Sequence, residues 1–148
     1  MRRSASRPRG NGVKTAFVDA NVFLRYLTND DPGKANRVGT LLDRAAAGEI
    51  RLLTTEMVLA EVVWVLESGY GLKNHQIAYM VKAILASPGI EVINGNFVAR
   101  ALDYYISNNI DFIDGYMAAV MEKRKVTDIF SFDRKHLGRI KTITRKEP

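Results

Sequence analysis

At 148 residues, with 47% hydrophobic residues and four prolines, the chain has the length and apolar content of one compact domain, and no repeat or low-complexity block interrupts it. The absence of cysteine excludes disulfides and thiolate metal sites, suits a reducing cytoplasm, and leaves oxygen or histidine as the donors for any metal. A formal charge of +6 and a pI near 9.7 favour polyanionic partners through counterion release, while no apolar run approaches membrane-spanning length.

In chain order, residues 1–12 are basic and lack the apolar stretch of a signal peptide, so they read as a flexible tail ahead of a single domain over 13–148. Thr15 to Val18 is an apolar strand that delivers Asp19, and Asn21 to Leu27 resumes with helical spacing. Turn and capping residues from Thr28 to Gly33 break that helix. A second follows, with Ala35, Val38, Leu41, Leu42, Ala45 and Ala46 as its inward stripe and Gly48 as its end. Ile50 to Leu53 is a second strand; Thr54 and Thr55 then cap a helix through Glu67 that is apolar nearly all round, and burial is expected for it.

A further amphipathic helix over Asn74 to Ala86, a third strand at Ile90 to Ile93 and a helix capped by Asn94 or Asn96 come next. Asp111 opens another helix that ends in the cations Lys123, Arg124 and Lys125, where the helix dipole favours them. Val126 to Phe132 carries a fourth strand, and Ile140 to Ile143 is a candidate fifth. Strands alternating with helices imply parallel βαβ units, hence a three-layer α/β/α domain around a mostly parallel sheet of four or five strands.

Four carboxylates stand out against this frame. Asp19 follows the C-terminal end of a buried strand, where ligands sit in open α/β sheets, although a lone Asp in that place is more often only the N-cap of the helix that follows. Glu61 sits among Val58, Leu59, Ala60, Val62, Val63, Trp64 and Val65; a buried carboxylate needs a cation, hydrogen bonds or a metal. Asp111 and Asp114 have the spacing of a reciprocal helix cap, yet a helix start before a parallel strand faces the sheet edge that Asp19 occupies. Asp133 lies past the fourth strand, as a ligand or as another cap. Carboxylates gathered there repel one another unless a divalent cation neutralises them, and an all-oxygen site suits Mg²⁺ or Mn²⁺, ions that activate water and stabilise a phosphoryl transition state.

The blocks Phe17 to Leu27, Thr54 to Glu61 and Asp111 to Ala119, with Ser131-Phe132-Asp133 as a shorter fourth, resemble PIN-domain ribonucleases, specifically VapC-type toxins of toxin–antitoxin pairs. The resemblance spans residues 15 to about 143. It implies a PIN-like fold, endoribonuclease activity dependent on Mg²⁺ or Mn²⁺, an acidic quartet of Asp19, Glu61, Asp114 and Asp133, and Asn21 and Ser131 as polar supports. It also implies a homodimer, and a small antitoxin whose C-terminal segment crosses the active-site groove. Gly115 and Ser131 depart from the Ala and Thr common in that family. Asp111 is either a further metal ligand or only the cap.

Arg25, one turn past Asn21, faces either the groove or a dimer surface, and Arg134, Lys135 and Arg139 are placed to meet RNA phosphates. His75 and His136 lack any paired metal-binding spacing and read as surface residues, and Trp64 reads as core. Two other readings remain open. One is an Asp-dependent small-molecule phosphatase, disfavoured because Asn21 stands where that chemistry wants a second Asp. The other is a non-catalytic basic module that binds nucleic acid or protein.

Overall fold

The computed structural model describes residues 12–148, so nearly all of the basic N-terminal stretch lies outside the described residues. Strand β1 (Thr15–Phe17) leads through helices α1 (Ala20–Thr28) and α2 (Pro32–Ala46) to β2 (Arg51–Thr55). Helices α3 (Glu56–Ser68) and α4 (Asn74–Leu85) then return the chain to β3 (Ile90–Ile93). Helices α5 (Gly95–Ser107) and α6 (Phe112–Arg124) precede β4 (Asp128–Phe130), and β5 (Thr144–Lys146) comes last.

Local chemistry accounts for most of these boundaries. Asp19 and Asp31 cap α1 and α2 by accepting from the amides of Val22 and Lys34, and Pro32 occupies the first turn of α2, where its missing N–H costs nothing. Asn29 and Lys125 end α1 and α6 in the left-handed conformation.

The sheet departs from expectation. The five strands form a parallel three-stranded sheet in the order β1-β2-β3 and a separate parallel pair, β4-β5, rather than one sheet of four or five. Among the described residues no ladder joins β1 to β4. The last strand also lies further along than Ile140 to Ile143. Ile140 is buried against Ile110 and Ala118, and the Ile143 amide turns back to the Ile140 carbonyl at 3.1 Å, so pairing with β4 begins only at Thr144.

The main core lies between the three-stranded sheet and the helices. It is built from Phe23 and Leu24 of α1, Leu52 of β2, Leu59, Val62, Val63 and Leu66 of α3, Ile77 and Val81 of α4, and Val98, Leu102 and Tyr105 of α5. Helix α3 buries only this face. Met57, Glu61 and Trp64 lie on the opposite one, with Met57 75% and Trp64 65% exposed, so neither the expected burial of the whole helix nor a core role for Trp64 holds.

Thr54 is the one fully buried polar side chain among the described residues. Instead of capping α3, a task that falls to Thr55, its hydroxyl donates to the Val18 carbonyl at 3.0 Å. With the Val18 amide bonded to the Leu53 carbonyl at 2.9 Å, this fixes the chain immediately before Asp19.

Candidate functional site

Helix α6 and the segment after β4 meet in an acidic cluster. Asp111 is the N-cap of α6 by position but makes no capping hydrogen bond through its side chain, and Asp114 lies one turn in. The reciprocal cap that their spacing allows does not form. Both carboxylates face His136 instead, with Nδ1 3.5 Å from Asp111 Oδ2 and 3.3 Å from Asp114 Oδ2. Asp133 completes the arrangement at 3.7 Å from the same nitrogen. Asp111, Asp114 and His136 can each offer one ligand atom with all of these within 4.8 Å of one another, a spacing and an oxygen-plus-imidazole donor set that suit a divalent cation.

Asp133 divides its oxygens between two tasks. Oδ1 accepts from the amides of Lys135 at 2.9 Å and His136 at 3.2 Å, which is the local capping role, while Oδ2 faces the imidazole. The Ser131 hydroxyl accepts from the Asp133 amide at 3.0 Å and so shapes the turn that presents the carboxylate. The electrostatics of the two inner carboxylates are opposed. Burial, then the charges of Asp133 and Asp111, push the Asp114 carboxyl above its ordinary range, with its side chain only 13% exposed. The backbone amides of His136 and Lys135 hold the Asp133 carboxyl below it.

Packing beneath the cluster holds its two halves together. Leu137 and Ile140 are buried, and Ile140 joins Ile110 and Ala118 in a small second core, so the segment carrying His136 rests on α6. The Asn108 side chain donates to the Arg139 carbonyl at 2.8 Å, and Arg139 donates to the Asn109 carbonyl.

Most of the other residues singled out in the sequence come from other elements. Asp19 is exposed at the start of α1, and Glu61 is exposed on α3; among the described residues neither joins a group of three acidic or histidine donors. Asn21 and Arg25 line a different cleft, between α1 and α2, together with Lys34 and Arg37, and Arg25 pairs with Asp30 at 3.3 Å. Arg134 points outward, 76% exposed, toward Glu147 at 2.9 Å.

Lys135 and Arg139, by contrast, line a polar cleft of about 250 Å³ whose other walls include Glu67, Asn74, Asn109, Asp111 and His136, directly beside the acidic cluster. Two features escaped the sequence reading. His136 carries no spacing signal. Glu56 accepts from Asn94 at 2.5 Å and from Tyr116 at 3.0 Å, tying the starts of α3 and α5 to α6; burial raises its carboxyl, but these hydrogen bonds outweigh that and hold it below its ordinary range.

Residues 16–142 match the family model described as PIN domain. The chain belongs to the PIN-domain family. A relative from Aquifex aeolicus (strain VF5), described as a VapC ribonuclease, is 26% identical over 133 residues that cover 88% of this chain and 97% of that protein. Among solved structures, Mycobacterium tuberculosis VapC20, described as a toxin that cleaves the sarcin–ricin loop, is 20% identical and aligns over 81% of this chain and 91% of its own, with a TM-score of 0.35. The PIN match begins in β1 and ends just before β5, so the acidic cluster lies wholly inside it.

Proposed function

We propose that this PIN-domain chain is a metal-dependent endoribonuclease of the VapC type, the toxin of a toxin–antitoxin pair. The observation that carries the reading is the convergence of Asp111, Asp114 and Asp133 where α6 meets the segment after β4, within a family match that covers most of the chain. The extent of the likeness to the Aquifex VapC ribonuclease, nearly the whole of both chains, supports it.

In this reading Asp114 and Asp133, with Asp111, would hold a Mg²⁺ or Mn²⁺ ion, and Asp19 and Glu61, from the β1 edge and α3, would complete the acidic site. A divalent ion held there would activate water at neutral pH and offset charge on the phosphoryl group. The chain does the rest. Lys135 and Arg139 draw the RNA backbone into the cleft beside the cluster and set its register. Ser131 fixes the turn that aims Asp133, Asn21 supports Asp19 from α1, and Arg25 and Arg134 bind phosphates further along the strand.

Helices joining parallel strands through crossovers of the right-handed sense that such connections favour would layer on both faces of the sheet, the three-layer form of the fold. The exposed Met57 and Trp64 on either side of Glu61 support a partner covering this face, with an antitoxin segment lying over the acidic groove and a second copy of the chain on an adjoining surface. No helix among the described residues is long and apolar enough to cross a membrane, and the protein works in the cytoplasm, where its RNA substrate is.

The test is cleavage of structured RNAs in Mg²⁺ or Mn²⁺, in EDTA, and by Asp114→Asn. Cutting that stops with the chelator and with the substitution is the expected result. Cutting indifferent to both would overturn the assignment.

A further inference from the structure

His136 lies outside the acidic quartet, yet its Nδ1 stands nearer than 4 Å to three carboxylates at once. Its distances of 3.3, 3.5 and 3.7 Å all exceed the roughly 2.7–2.9 Å of a charge-assisted N–H···O bond, so the nitrogen is central to the group and hydrogen-bonded to none of it. Donors around a cation have this spacing. With ligand bonds of about 2.0–2.2 Å, neighbouring corners of an octahedron lie about 3 Å apart and opposite corners a little over 4 Å.

The imidazole is also held in place. Its backbone amide is bonded to Asp133 Oδ1 at 3.2 Å, the next residue, Leu137, is buried in the fold, and the His136 side chain is only 19% exposed. A surface histidine paired casually with an acid would have none of these constraints.

We propose that His136 Nδ1 is a direct ligand of the metal, beside Asp111 and Asp114, and that it biases the site toward Mn²⁺ over Mg²⁺. The inference rests on the reading above that the cluster holds a divalent cation. Imidazole nitrogen suits the later, more polarisable ions, whereas Mg²⁺ is served by oxygen and keeps much of its water. Replacing one oxygen corner by nitrogen therefore favours Mn²⁺.

Pulsed EPR on the full chain loaded with less than one equivalent of Mn²⁺ detects a coordinated imidazole directly, through the nitrogen modulation of the echo. Wild type and His75→Gln, which alters the other histidine, show the modulation; His136→Gln loses it. The same substitution weakens Mn²⁺ binding about tenfold or more in calorimetry and Mg²⁺ binding much less. Bound Mn²⁺ without nitrogen modulation in wild type, or modulation that survives His136→Gln, overturns the histidine assignment and leaves the nuclease reading standing. A wild-type protein that binds no Mn²⁺ overturns both.

Discussion

The Thr54 hydroxyl reaches across from β2 to the Val18 carbonyl at 3.0 Å, the last peptide oxygen before Asp19. Thr54 is fully buried, so this bond carries the cost of two desolvated polar groups if it is broken. Thr54→Val keeps the shape, leaves the carbonyl unpaired, and is expected to destabilise the fold by about 1–3 kcal/mol. Thr54→Ser restores the donor and most of the stability. RNA cleavage by Thr54→Val, assayed well below its melting temperature, falls further than its stability alone explains, because the strand end that presents Asp19 is loosened. Equal melting temperatures for Thr54→Val and wild type would refute the role.

Asp114 is charged at a cost to the fold. Burial and the neighbouring Asp133 and Asp111 raise its folded pKa above that of the unfolded chain, so the stabilising contribution exists below the unfolded pKa, near 3.9, and disappears as pH rises through the folded value. At pH 7 in EDTA the charged carboxylate therefore works against folding. Asp114→Asn is expected to melt about 2–4 °C above wild type under those conditions, with the difference shrinking toward pH 4. Calorimetric scans across that range check the sign, and cleavage is lost throughout.

Gly115 sits beside Asp114 where α6 crosses α5. A Cβ there would lie 2.7 Å from the Ala101 carbonyl oxygen and 3.4 Å from the Tyr104 Cβ, and the nearer obstacle is backbone that cannot swing aside. Alanine gains up to about 1 kcal/mol in helix propensity, but the overpacking costs roughly 1–3 kcal/mol, so Gly115→Ala is expected to be destabilising on balance. Because Asp114 moves with α6, the variant also binds Mn²⁺ more weakly than wild type. A protein as stable as wild type with unchanged metal affinity would show that the two helices have room to part.

The frame of the fold was legible in the sequence because it follows from local signals. The stripe from Ala35 to Ala46 marks α2, although its first turn, at Pro32 and Gly33, reads as part of the preceding break, and the spacing of Ile77, Val81 and Ile84 marks the buried face of α4. What partner a surface meets is a different kind of fact. The apolar run around Glu61 reads as a core helix, yet Met57 and Trp64 face outward, since composition does not say whether a face is covered by the same chain. Asp111 and Asp114 have cap spacing, but a local hydrogen bond competes with a tertiary one, and His136 sits 22 residues beyond Asp114 with no periodicity to connect them. The joining of strands into sheets was likewise unreadable, because partners such as β4 and β5 are chosen by tertiary packing and leave no mark in the local pattern.

The small core of Ile110, Ala118 and Ile140 keeps the two halves of the acidic cluster together. Ile140→Ala removes a buried side chain and is expected to cost about 2–5 kcal/mol if the whole fold must absorb it. Because Ile140 packs only on this satellite core, the loss is expected to appear first as local opening. Amides from Lys135 to Ile143 exchange faster, while those of β2 and α3 stay protected. Uniform loss of protection across the chain would show instead that the segment folds as one unit with the main core.

Lys135 offers the cleanest separation of binding from folding. Its side chain lines the cleft beside Asp111 and His136, and its amide, which any residue supplies, makes the hydrogen bond to Asp133. Lys135→Ala is therefore expected to leave the melting temperature within about 1 °C of wild type. Removing one phosphate contact lowers the slope of log affinity against log salt by roughly one and weakens RNA binding across sequences alike. In cleavage assays KM rises while kcat changes little, as for a contact made equally in the ground and transition states. An unchanged salt slope would place the RNA path away from this cleft, toward the basic face of α1 and α2 that carries Arg25, Lys34 and Arg37.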